Sequence, residues 1–111
     1  MLAVSDFETV QVNDVPKDAF ILDVREDFEW EAGRAAGATH IPLGTLPERV
    51  SELDPDVDTY VICRTGGRSA QAASWLTAMG YTAFNVAGGS DAWIEAGLPM
   101  EADNGQEPTV R

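Results

Sequence analysis

Apolar positions along the chain fall into short continuous runs, separated by stretches with helical spacing. Ala19-Phe20-Ile21-Leu22-Asp23-Val24 is nearly all apolar with one charge near its end, the pattern of a strand buried on both faces of a parallel sheet. Thr59-Tyr60-Val61-Ile62-Cys63 repeats it, and Tyr81 to Val86 supplies a third such strand. Thr39-His40-Ile41, stopped by Pro42, is a short weak strand, and Thr9 to Val12 alternates like an edge strand. Between them, Asp27 to Ala32 reads as a short helix terminated by Gly33. Thr45-Leu46-Pro47-Glu48 fits a capping box, after which Leu46, Val50 and Leu53 share one helical face. The longest helix spans Arg68 to Met79, with Ala72, Trp75, Leu76 and Met79 at i, i+3, i+4 and i+7 and Gly80 as its stop. Gly88-Gly89 reads as a turn into a last helix, which Ser90 caps, which carries Trp93 and Ile94, and which Gly97 and Pro99 end.

Strands alternating with helices predict an α/β fold, a parallel sheet with helices on both faces. No internal repeat is present. The segment 101–108 has no apolar periodicity, so the chain divides into one domain over residues 1–100 and a polar, flexible tail over 101–111.

Composition narrows the function classes. The 111 residues make a single domain's worth, able to bury roughly two-thirds of the unfolded surface. Seven Lys and Arg against 19 Asp and Glu give a net charge of −12, which repels phosphate backbones and anionic lipid. Nucleic acid and membrane are therefore poor partners. No run approaches the roughly 20 apolar residues of a membrane span. Met1 to Asp6 lacks the basic start and apolar region of a secretory signal, so a cytoplasmic setting is the expectation. One cysteine excludes an intramolecular disulfide and a zinc–thiolate cluster. The three tryptophans read as core anchors rather than ligand stackers.

The candidate chemistry lies just past the second buried strand. In open parallel sheets ligands collect beyond the carboxyl ends of strands, and Cys63 stands at such an end. Arg64-Thr65-Gly66-Gly67-Arg68-Ser69 follows, then the longest helix. The glycines let successive N–H groups curl inward as an anion nest, and the helix adds its positive end. Arg64 and Arg68 add two permanent charges. All of these favour thiolate over thiol; such surroundings can bring a cysteine from a pKa of about 8.5 to roughly 7 or below. Taken alone, Cys63 could be a small buried thiol without chemistry; the Gly-Gly-Arg loop favours function.

Three motifs carry a family resemblance: Leu22-Asp23-Val24-Arg25 with Glu29 and Gly33; Val61 to Ser69; and Gly88-Gly89 with Trp93, Ala96-Gly97 and Pro99. The chain resembles the single-domain rhodanese-like sulfurtransferases over about residues 8–100. That resemblance implies that Cys63 attacks a sulfane sulfur donor such as thiosulfate and holds the sulfur as a persulfide. A thiol or cyanide, or a protein acceptor of sulfur, then removes it. It implies a substrate loop of Arg64, Thr65, Gly66, Gly67 and Arg68, with Asp23, Arg25 and Ser69 in support of it, and neither a metal nor a cofactor. Two features depart from the family pattern and bear on substrate preference. Gly33-Arg34-Ala35-Ala36-Gly37-Ala38 stands where relatives read Gly-His-Ile-Pro-Gly-Ala, and His40 stands where asparagine is common. His40 reads as a supporting or core residue rather than a base.

Other readings weaken on spacing. Asp54, Asp56 and Asp58 resemble the start of a calcium loop, but Thr59 replaces its glycine and Thr65 its bidentate glutamate. Cysteine phosphatases leave five residues between cysteine and arginine, which weighs against a phosphatase or an arsenate reductase. Only four separate Cys63 from Arg68, and Ser69 takes the phosphatase arginine's place. A sulfur-carrying or partner-binding module without turnover remains the main alternative.

Overall fold

The apolar runs become the centre of one sheet in the computed structural model, which describes residues 6–111; the reading of Met1 to Ser5 lies outside the described residues. The elements in chain order are β1 (Glu8–Val10), β2 (Phe20–Asp23), α1 (Asp27–Ala32), β3 (Arg34–Ala35), β4 (Thr39–His40) and α2 (Leu46–Arg49). β5 (Thr59–Ile62), α3 (Gly67–Ala78), β6 (Ala83–Val86), α4 (Gly89–Glu95) and β7 (Met100–Glu101) follow. The main sheet runs β1-β6-β5-β2-β4, every neighbouring pair parallel, as the apolar runs predict.

Side chains of a strand alternate between faces, and both faces here are covered. Leu22 and Val61, paired in register, pack with Leu46 of α2 and with Ala72, Ala73 and Leu76 of α3. Ile21, Ile62 and Val86 pack on the other side with Trp93 of α4. This double burial explains why the runs read as continuous rather than alternating. Each such Leu, Ile or Val contributes about 1.5–3 kcal/mol. The β5 strand lies third of five, so its carboxyl end opens at the middle of the sheet.

Several local expectations are corrected. Met79 lies just past α3 and is 52% exposed, because the helix ends one residue early and its last turn leaves the core. Thr45 forms no capping box: the chain is already turning from Leu43, and the Thr45 hydroxyl donates to the Pro42 carbonyl at 3.0 Å. Such a box occurs instead at α1, between Glu26 and Glu29, where Glu29 Oε1 accepts the Glu26 N–H at 2.9 Å. Ser90 lies inside α4, whose N-cap is the left-handed Gly88. Trp93 is a core anchor and donates its Nε1–H to the Pro99 carbonyl at 2.8 Å. Trp75 packs half-buried against the Leu22 side. Trp30 is no core anchor; it stacks on His40 with ring centroids 4.7 Å apart, and the Arg34 guanidinium lies over its ring at 4.5 Å.

The segment after residue 100 docks on the domain as a strap. β7 pairs antiparallel with β3, Arg34 opposite Glu101 and Ala35 opposite Met100. Arg34 Nη1 donates to Asp103 at 2.6 Å, and the Thr109 N–H donates to the Ala32 carbonyl at 2.9 Å. Gly33 ends α1 in extended backbone, φ 170°, and its missing side chain leaves room for Thr109, whose carbonyl oxygen occupies the place of a Cβ. Periodicity could not reveal this pairing, because its partners stand up to 69 positions apart.

Candidate active site

Cys63 follows β5 directly and is only 1% exposed. The loop turns at Gly66, left-handed at φ 117°, so that α3 starts at Gly67 with its first N–H groups near the sulfur. The Gly66 N–H donates to Cys63 Sγ at 3.1 Å, and Ser69 Oγ lies 3.2 Å from the same atom. Ser69 Oγ also donates to Asn85 Oδ1 at 2.6 Å, and Asn85 Nδ2 donates to the Gly66 carbonyl at 3.4 Å. A closed ring of contacts thus joins the sulfur, the helix head and β6.

A second element holds the loop from outside. At the head of α4, the Ser90 N–H donates to the Cys63 carbonyl at 2.8 Å and the Asp91 N–H to the Arg64 carbonyl at 3.1 Å. Gly89 lies so close that a Cβ there would strike the Cys63 oxygen and the Arg64 backbone. Ser90 therefore serves the loop through its amide rather than capping through its hydroxyl.

Opposing forces set the thiol's ionisation. Burial pushes Cys63 up. The Ser69 hydroxyl, when it donates to sulfur, and the N–H groups of Ser69, Gly66 and Thr65 pull it down further, leaving it below the ordinary thiol value. Hydrogen-bond donors carry this shift, where the residue types had pointed also to the arginines. Arg64 is half-exposed and leans toward Asp91 at 3.6 Å. Arg68 is 35% exposed and grips Glu29 through both terminal nitrogens, at 2.7 and 2.9 Å. The Arg68 hydrogen bond, against the cost of burial, holds the Glu29 carboxyl below its usual range. Thr65 and Gly67 are exposed, so the outer side of the loop is open.

The remaining predicted residues sit one layer back. Asp23 and Arg25 are fully buried and paired, Arg25 Nη2 donating to Asp23 Oδ2 at 2.7 Å and also to the Gly33 carbonyl at 2.7 Å. Their bonds brace the end of α1 rather than the loop; α1 in turn carries Glu29, which holds Arg68. His40 donates through Nε2 to the Arg25 carbonyl at 2.7 Å and stacks on Trp30. Two contributors escaped the residue-by-residue reading. Glu29 was visible only as part of a motif, and Asn85 only as a polar residue in the otherwise apolar stretch 83–86, which is itself a signal. Among the described residues no three metal-ligating side chains converge, and no helix is long and apolar enough to cross a membrane.

By fold and site this is a doubly covered α/β domain built around a cysteine loop at the carboxyl end of its central strand. Residues 8–96 match the rhodanese-like domain, and the chain belongs to that family. It is 37% identical over 90 residues to a sulfurtransferase of Allochromatium vinosum, covering 80% of this chain and 84% of that protein. It is 36% identical over 93 residues to the thiosulfate sulfurtransferase GlpE of Actinobacillus succinogenes, covering 83% and 84%. The crystal structure of a rhodanese-related protein from Thermoplasma volcanium, 35% identical, superposes with a TM-score of 0.83 over 87% of this chain and 100% of its own.

Proposed function

We propose that the protein is a sulfurtransferase that moves a sulfane sulfur from an anionic donor such as thiosulfate to cyanide or a thiol, through a persulfide on Cys63. The Gly66 N–H at 3.1 Å from Sγ carries the reading: an amide aimed at a buried sulfur favours its ionised form. In the first step the Cys63 thiolate attacks the outer sulfur of thiosulfate. The donor's S–S bond breaks, sulfite leaves with the bonding pair, and the charge moves to the new terminal sulfur. In the second step the acceptor attacks that sulfur, the persulfide bond breaks, and Cys63 returns as thiolate. Cyanide leaves as thiocyanate; a protein thiol would leave as a persulfide.

The chain's own groups divide the work. N–H groups of Thr65, Gly66 and Gly67 would cradle the terminal sulfur. Arg64, exposed and only loosely held by Asp91, can turn to the donor's anionic end. Arg68 stays with Glu29 and lends charge near the sulfur rather than a free fork. A phosphatase has less support: Ser69, at the place of the phosphatase arginine, faces Asn85 and Cys63. A lone reactive thiol suits a reducing, cytoplasmic setting.

Intact-mass spectrometry after incubation with thiosulfate tests the reading. The wild type should gain one sulfur, cyanide should discharge it as thiocyanate over many cycles, and Cys63→Ser should gain none. Absence of the adduct on reduced wild type, or its presence on Cys63→Ser, would overturn it. Loading without repeated thiocyanate release would instead identify a carrier.

A further inference from the structure

The ring around the sulfur raises a counting problem. Ser69 has one hydroxyl proton and two neighbours able to accept it, Asn85 Oδ1 at 2.6 Å and Cys63 Sγ at 3.2 Å. The far end of Asn85 settles the orientation of its amide. Nδ2 donates to the Gly66 carbonyl at 3.4 Å, and the reverse orientation would set two oxygen acceptors against each other in a partly buried place. Oδ1 therefore faces Ser69 and holds the proton.

With its proton on that side, Ser69 meets the sulfur as an acceptor. That suits a thiol S–H and opposes a thiolate. Turning the proton to the sulfur would leave Oγ and Oδ1 2.6 Å apart with no hydrogen between them. Ser69 and Cys63 are almost wholly buried and Asn85 is 7% exposed, which leaves water little access to relieve that contact. A persulfide meets no such conflict, because its charge lies on the outer sulfur and Sγ needs no donor.

We infer that Asn85 is a positioning residue for the sulfur chemistry: by holding the Ser69 proton it disfavours the bare Cys63 thiolate relative to the resting thiol and the loaded persulfide. The inference rests on the reading of Cys63 as the sulfur-bearing nucleophile. The charged groups of the elements around the loop are paired with one another: Arg68 of α3 with Glu29 of α1, Arg64 of the loop with Asp91 of α4, and Arg25 with Asp23 at the end of β2. Replacing Asn85 leaves all three pairs in place.

Because Cys63 is the sole cysteine, ultraviolet thiolate absorbance against pH, less that of Cys63→Ser to remove the tyrosine signal, reports it alone. Asn85→Ala and the bulk-preserving Asn85→Leu should each lower the midpoint, raising the thiolate-to-thiol ratio about tenfold at a given pH, one pKa unit. In a Ser69→Ala background the same Asn85 replacements should leave the midpoint in place, since no proton remains to be released. A general loosening of the loop would raise the midpoint, by removing donors from the sulfur. A raised or unmoved midpoint in the Asn85 variants, or an equal shift without Ser69, overturns the inference. Sulfur loading from thiosulfate, weighed on the same samples, separates the two ideas. Loading with an unmoved midpoint sinks this inference alone, and an Asn85-dependent shift without loading keeps only the hold of Asn85 on the Ser69 proton, sinking the sulfurtransferase reading and the role in sulfur chemistry with it.

Discussion

Gly89 and Gly33 stand in two regions of the molecule, each with foreign backbone where a side chain would be. At Gly89 that backbone is Cys63 and Arg64, and the glycine itself is left-handed at φ 56°. At Gly33 it is Thr109, and the glycine is extended. The active-site contact cannot yield, because the Ser90 and Asp91 amides bond the same two carbonyls that press on Gly89. The strap contact can yield, because residues after 100 are held by a two-residue ladder, the Thr109 amide and the side chain of Arg34. Equal closeness therefore has unequal consequences. What matters is how many independent bonds would have to break for the neighbour to move away.

Substitution tests that contrast. Gly89→Ala should have the largest effect, about 3 kcal/mol of stability from strain and collision together. It should also slow sulfur loading about a hundredfold, on the order of 2.7 kcal/mol of barrier. Urea unfolding and timed mass spectra check both numbers, and an alanine variant with normal loading would show that α4 does not hold the loop. Gly33→Ala should cost less, about 1–2 kcal/mol, because the strap can swing off as a local unit. Proteases should then cut rapidly after residue 100, while loading stays within about twofold of wild type. A parallel fall in loading would mean that strap and loop are one mechanical unit.

The smallest effect belongs to Glu29, which lies on α1 between the two regions. Glu29→Gln should lose about 1 kcal/mol at neutral pH, a figure kept low because Arg68 is 35% exposed. The sign of its pH dependence follows from the depressed folded pKa. The carboxylate contributes fully above its unfolded value of about 4.3, and the contribution is lost as pH falls through the lower folded value. Unfolding curves of wild type and variant should therefore converge as pH drops below about 4. A difference that persists unchanged into acid would assign the effect to packing rather than to the Arg68 pair.

The same contrast governs what could be read from residues alone. The loop was legible because Cys63 to Ser69 are contiguous and their backbone chemistry is local. The central strands were legible because double burial writes itself as an unbroken apolar run, as in 19–24 and 59–63. The strap was not, because Arg34 finds Glu101 and Asp103 only across the finished fold. Caps fell between these cases: Thr45 and Ser90 have capping side chains, but backbone already turning at Leu43 and Gly88 left them nothing to cap. Asn85 needed the register Val61 opposite Asn85 before its place beside the cysteine loop could be seen.

Hydrogen-bond donors to the Cys63 sulfur come largely from backbone amides, and every residue but proline has one. The outward side chains of Arg64 and Thr65 are thus exempt from the task of steadying the sulfur. If the protein transfers sulfur as proposed, exchanging them would alter which donor or acceptor is admitted without disturbing the amides around Cys63. On the proposed reading, steadying the sulfur and choosing its donor would be inherited separately: the first mostly in the path of the main chain, the second in side chains that drift more freely.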